Sequence, residues 1–171
     1  MLLKVRRRPG SNCEGLLAAG PLVLRCALGK GGVSSRKREG DGATPLGRMR
    51  VLGGFCRTDG LVARRSPLRL TPIRAELGWC DAPADRNYNR PVDLPYGASC
   101  EKMRRADHLY DICLVLDWNI APRNRNRGSA IFMHLARPGY LPTEGCVALS
   151  PRDMARLLPL LTSASVVEVT R

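Results

Sequence analysis

The chain is poor in aromatic residues, carries only two histidines in 171 residues, and has no CxxC pair among its seven cysteines. No zinc-finger, basic-zipper or stacking-aromatic pattern accompanies its basic residues, so a specific nucleic-acid reader is not expected. No apolar run approaches the length of a membrane-spanning helix. The N-terminus "MLLKVRRRPG" has no apolar stretch followed by a cleavage site, which taken alone describes a soluble protein kept in the cytoplasm. Asp107, His108 and Asp111 do not make up a metal shell with diagnostic spacing, and a surface turn is expected there. "GKGGVSS" lacks the glycine-to-lysine spacing of a phosphate loop. Neither a metal nor an organic cofactor is implied.

Acidic residues are also scarce, 15 against 28 Lys and Arg, leaving a net charge of +13. Such a field favours anionic partners without selecting one. The basic residues are dispersed over 4–8, 36–38, 64–65, 102–105 and 123–127, as on a solvated face.

An apolar content of 44% and a length of 171 residues support one hydrophobic core, and no internal boundary divides residues 1–171. Thirteen prolines and 17 glycines point to many turns and a mainly β domain. "LLKVRRR" and "GLLAAG" read as a hairpin, and "PLVLRCALGKGGV" as a strand entering a glycine turn. A mobile basic loop follows, then a strand near 48–52. Residues 53–106 read as a long irregular insertion, too long for passive linkage. "LYDICLVLDWN" (109–119) gives the strongest strand signal, "SAIFMH" (129–134) the next, and "SVVEV" closes the chain as an edge or core strand. Ser150, Pro151 and Asp153 mark a helix start, with Met154, Ala155, Leu157 and Leu158 as its packed face and Pro159 near its end.

Inside the insertion, "WCDAPADRNYNRPVDLPY" (79–96) is dense in groups that bind polar substrates. Trp79, Tyr88, Asn89 and Arg90 are candidates to line a cleft, as are Asn119 and Arg137 beside the two strongest strands. The competing reading is a loop ordered by Asn and Asp bonds to backbone.

His134 ends an apolar strand, and Cys146 follows twelve positions on, behind Gly145. A cysteine attacks acyl carbon as a thiolate, and a histidine within reach can take its proton and return it to a leaving amine. Glycine before the nucleophile permits tight backbone geometry, with amides near the turn facing an oxyanion. Equally, "CVAL" can begin a packed strand with a small core cysteine. Spacing alone leaves both readings open.

"HLARPGYLPTEGCVAL" resembles the active-site region of the L,D-transpeptidase catalytic domain, the YkuD-like family, in which a histidine precedes a Ser/Thr-x-Gly-Cys turn. His134 matches the general base, Thr143 the Ser/Thr, Gly145 the glycine and Cys146 the nucleophile. "GDGATPLG" (40–47) resembles the family's earlier Thr-Pro-x-Gly element, and the likeness runs from about residue 22 to the C-terminus. The chain departs from the pattern at Leu135, where Gly is usual, at Glu144, where many members have His, and at Ala148, where Arg is usual. The resemblance implies a β-sandwich with a short C-terminal helix. It also implies attack of Cys146 on a peptidoglycan tetrapeptide stem or its precursor, release of D-alanine, and transfer to an amine. Thr143 and Glu144 become candidate substrate contacts, an anionic wall polymer a candidate partner, and the cell envelope or periplasm the implied location. Water as acceptor would make the protein an L,D-carboxypeptidase, and loss of catalysis would leave a basic binding module.

Overall fold

A computed structural model describes residues 1–57 and 66–171; the basic pair at 64–65 lies outside the described residues. The first three strands are β1 (Leu2–Arg7), β2 (Glu14–Ala19) and β3 (Leu22–Ala27), joined as two antiparallel hairpins. Each alternates: Leu3 and Val5, then Leu17 and Ala19, then Leu24 and Cys26 point inward and are buried. Two short parallel strands, β4 (Val33–Ser34) and β5 (Thr44–Pro45), pinch off the basic loop between them. That loop, expected to be mobile, is tied down: the Asp41 carboxylate accepts from the Arg38 and Ala43 amides and from Lys37 Nζ.

The strand expected near 48–52 is longer, β6 (Gly47–Cys56). β7 (Leu70–Pro72) pairs parallel to its C-terminal end. Next come β8 (Leu77–Cys80), β9 (Arg90–Asp93) and β10 (Cys100–Lys102), which form a separate antiparallel sheet in the order β10-β8-β9. The stretch 53–106 is therefore not irregular throughout. Its strands of three or four residues are too short, and too rich in Pro, Asp and Asn, for alternation to show in sequence.

β11 (Ile112–Leu116), β12 (Phe132–Leu135), β13 (Val147–Leu149) and β14 (Val166–Thr170) complete the main sheet, ordered β11-β12-β13-β3-β2-β1-β14-β6-β7. β11 also pairs with β6, so eight of these strands close on themselves. The sandwich implied by the resemblance is thus a closed barrel, which removes its free edges. β14, read as an edge or core strand, lies between β1 and β6 inside the ring.

One cluster of apolar side chains fills the barrel and is plugged at one end by α1 (Pro151–Leu157). The Ser150 hydroxyl accepts from the Asp153 amide at 3.1 Å, the cap expected, and donates to the Asp153 carboxylate at 2.9 Å, so the acid bonds the capping hydroxyl where a capping box would bond the Ser150 amide. Met154, Leu157, Leu158 and Leu161 are fully buried, each contributing about 1.5–3 kcal/mol by burial. A second cluster lies outside the barrel, between β11–β12 and the small sheet. All five residues of β11 are buried because Ile112, Leu114 and Leu116 face the barrel while Cys113 and Val115 face this second layer. Burial on both faces explains the unbroken apolar run read at 113–116.

Candidate active site

β12 and β13 run parallel with Met133 opposite Val147 and His134 opposite Ala148. Alternation places Cys146 and Ala148 on the face that carries Phe132 and His134. That face forms the floor of a cleft of about 310 Å³ which both His134 and Cys146 line. The eleven intervening residues leave the face and return: a 3-10 turn at Pro138–Tyr140, then a turn closed by Thr143. Thr143 Oγ1 donates to the Cys146 carbonyl at 2.7 Å and accepts from the Gly145 amide at 3.1 Å. Gly145 holds φ +132°, and a Cβ there would stand 2.8 Å from the Ala43 carbonyl oxygen. Only glycine fits. Ala43 directly precedes the Thr44-Pro45-Leu46-Gly47 element within the quoted stretch 40–47, so the two stretches quoted from the sequence meet here.

The Cys146 side chain is enclosed at the cleft floor. Its Sγ–H donates to the Ala130 carbonyl at 3.2 Å, and the Phe132 amide donates to Sγ at 3.4 Å. Burial, then the Glu101 carboxylate, push its thiol up to about 12. His134 is 5% exposed. Its Nδ1 bonds the Leu135 carbonyl at 2.8 Å, so Nδ1 carries the proton and Nε2 is left as the acceptor. Burial lowers its pKa to about 4, against the raising effect of the Leu135 carbonyl. Near neutral pH the resting pair is therefore thiol and neutral imidazole, with no preformed ion pair.

The remaining candidates divide sharply. Arg137 lines the cleft at an exposed position near His134. Glu144 is on its rim, with a side chain 71% exposed and paired to Lys30 at 2.8 Å. It points to solvent and is the smallest named contribution to the raised thiol. Trp79 does not line this cleft. It packs edge-on against Phe132 at 5.1 Å in the second core and donates to Asn89 Oδ1 at 3.0 Å. Asn89, in the left-handed region at φ 58°, also accepts from the Ala130 amide at 3.0 Å and donates to the Trp118 and Asn119 carbonyls. Tyr88 is buried and donates to the Glu39 carboxylate. Asn119 ties its own loop to the Asn124 and Gly128 carbonyls. Arg90 is exposed, and it and Trp79 border a different cavity. Asn89 and Asn119 thus make the Asn-to-backbone bonds of the competing reading, while Trp79 and Tyr88 are buried and bond the Asn89 and Glu39 side chains.

Several cleft residues escaped the sequence reading. Glu101 on β10 is half-buried, lines the cleft with the nucleophile and accepts from the Tyr110 hydroxyl at 2.7 Å; desolvation raises its carboxyl pKa. The Tyr110 ring stands edge-on to His134 at 5.1 Å. Lys37, read as part of a solvated basic run, is 2% exposed and lines the same cleft. Ala148 leaves room on the floor where Arg is usual, while Arg105 and Arg137 reach the cleft from other elements. The short spacing from Lys37 to Asp41 was the one local sign of a buried ion pair. Glu101 carried no such sign.

A closed barrel presenting a cysteine and a histidine on the floor of one cleft defines a candidate acyl-transfer site. The L,D-transpeptidase catalytic domain (YkuD) family model matches residues 16–169. The chain belongs to that family, and is a peptidoglycan-modifying catalytic domain of the YkuD type. No curated protein and no solved structure matches the chain. Among the described residues, no helix is long and apolar enough to cross a membrane and no group of His, Cys, Asp and Glu could hold a metal ion.

Proposed function

We propose that the protein is a cysteine-dependent L,D-transpeptidase that works through an acyl-enzyme on peptidoglycan tetrapeptide stems. The observation that carries this reading is the placement of Cys146 and His134 on one face of β12–β13, inside one cleft, in a chain of this family. Because the thiol is held neutral and the imidazole is neutral, His134 Nε2 takes the proton as sulfur attacks rather than before. The Sγ–C bond to the carbonyl of the third stem residue forms, and the C–N bond to the terminal D-alanine breaks. Its amine leaves with the proton that His134 accepted. In the second half an acceptor amine forms the new C–N bond, gives its proton to Nε2, and the Sγ–C bond breaks, returning the proton to sulfur. The Gly145 amide is committed to Thr143 Oγ1, so oxyanion stabilisation falls to other donors at the cleft, the nucleophile's own amide first. Arg137, exposed at the cleft, is suited to hold a stem carboxylate where Ala148 supplies no charge, while Arg105 beside it is already paired with Asp107.

A second reading is favoured by one observation: the resting thiol is occupied by the Ala130 carbonyl and strongly protonated. A basic binding module without catalysis would look the same. Intact mass spectrometry with a tetrapeptide stem separates the two. The enzyme gives a stem-sized adduct on wild type, none on Cys146→Ala, and stoichiometric D-alanine; adding amine or leaving water alone then distinguishes transpeptidase from L,D-carboxypeptidase. Reduced, folded protein that yields neither adduct nor D-alanine with several stem types would sink the transpeptidase reading. Salt-sensitive retention on an anionic polymer would then carry the binding module.

A further inference from the structure

Cys80 on β8 stands directly opposite Cys100 on β10, with Trp79 opposite Glu101 and Gly78 opposite Lys102. No other strand register among the described residues sets two cysteines against each other. The Asp81 amide bonds the Ser99 carbonyl at 3.2 Å and the Met103 amide bonds the Leu77 carbonyl at 2.9 Å. Hydrogen-bonded and non-hydrogen-bonded pairs alternate along an antiparallel ladder, so Cys80–Cys100 occupies a non-hydrogen-bonded position. Opposed α-carbons there are about 4.5 Å apart, within the roughly 4.4–6.8 Å that a disulfide spans, and the β-carbons make their closest approach. Trp79 and Glu101 point into the molecule, toward Phe132 and Tyr110. Alternation therefore turns both sulfurs to the opposite face, away from Cys146. Both thiols are free, Cys80 buried and Cys100 partly exposed.

We propose that Cys80 and Cys100 are a site of reversible oxidation, forming an intramolecular disulfide with a low-molecular-weight disulfide as oxidant. The Cys100 thiolate attacks the oxidant, forming a mixed disulfide and releasing one thiol. The Cys80 thiolate then attacks the Cys100 sulfur, forming the β8–β10 bond and releasing the second thiol. Two electrons pass from the cysteines to the oxidant, and the two cysteine protons end on the thiols released. Asp81 and Glu101, each next in sequence to one of these cysteines, line the cleft, so the bond locks one of its walls. This inference rests on strand register and stands whether or not Cys146 is a nucleophile.

Burial and the neighbouring Asp81 carboxylate raise both thiols, with Asp85 adding to the effect at Cys80, so oxidation is run at mildly alkaline pH. Full-length protein is incubated with oxidised glutathione, and separately refolded in a glutathione redox buffer, then blocked, digested and mapped. The expected result is a linked peptide pair containing Cys80 and Cys100, two hydrogens lighter than the reduced pair and absent from Cys100→Ser. Cys146 remains alkylatable, and the Tm of the oxidised protein is about 5 °C above that of the reduced protein. Cys80 and Cys100 recovered as free thiols after both treatments, or joined to other cysteines, would overturn the proposal.

Discussion

Around Cys146 burial does most to hold the thiol protonated, and the charged neighbours act next. The family's usual Arg near the nucleophile is Ala148 here, and the strongest charged influence is a half-buried carboxylate, Glu101, which opposes the thiolate. Glu101→Gln keeps an acceptor for the Tyr110 hydroxyl and removes the charge. The Cys146 pKa is therefore expected to fall, and alkylation of Cys146 at fixed pH to quicken, by several-fold if the charge term alone is worth about 1 kcal/mol. The check is the pH dependence of iodoacetamide labelling, followed by mass at the Cys146 peptide. An unchanged profile would remove Glu101 from the electrostatics of the site. At this scale the turn of Thr143, Gly145 and Cys146 was legible in the sequence because a tight turn needs its own residue types close together, while His134, on a separate strand, was singled out through the family resemblance. Glu101, Tyr110 and Lys37 were not, because they reach the cleft from segments far apart in the chain, a strand of the outer sheet, the turn before β11 and the β4–β5 loop.

The element that most needed the structure is the small outer sheet. Its polar residues looked like substrate ligands, yet Asn89 spends its side chain on four internal bonds that join β8–β9 to the 118–119 segment and to Ala130. Ala130 in turn presents its carbonyl to the Cys146 thiol, so Asn89 holds up the cleft from behind. Asn89→Ala is expected to cost about 2–4 kcal/mol, because the buried Trp79 indole and Ala130 amide are left unpartnered. Arg90→Ala, an exposed neighbour on β9, is expected to stay within about 0.5 kcal/mol. Urea unfolding of the two variants beside wild type checks the contrast. Equal effects would mean that Asn89 is not a structural clamp.

Over the whole molecule, closing the barrel buries one face of nearly every strand, while the second cluster and the small outer sheet cover the opposite face of β12, which carries His134. His134 is held neutral in consequence. Its folded pKa of about 4 lies below its ordinary 6.5, so between these values the unfolded chain binds more protons and stability rises with pH. Lowering the pH from 7 to 4 is expected to remove on the order of 3 kcal/mol through this residue. Glu101, raised by burial, contributes with the opposite sign, so the measurement is the difference between wild type and His134→Gln in denaturant titrations across pH 4–7. Parallel curves would refute a buried neutral imidazole.

The sequence alone determined most of the barrel's strands, because alternation and the doubly buried run at 113–116 are local patterns, though β6 runs four residues beyond the stretch read at 48–52. It likewise determined the capped helix and the Cys146 turn, whose caps and glycine act over a few residues. Tertiary structure alone decided that β11 pairs with both β12 and β6, turning the expected sandwich into a ring. It also decided that 53–106 folds into an outer sheet, and that Glu101 faces the nucleophile while Trp79 does not. Those outcomes depend on register between segments far apart in the chain, and a shift of one residue in any pairing would turn each side chain to the other face.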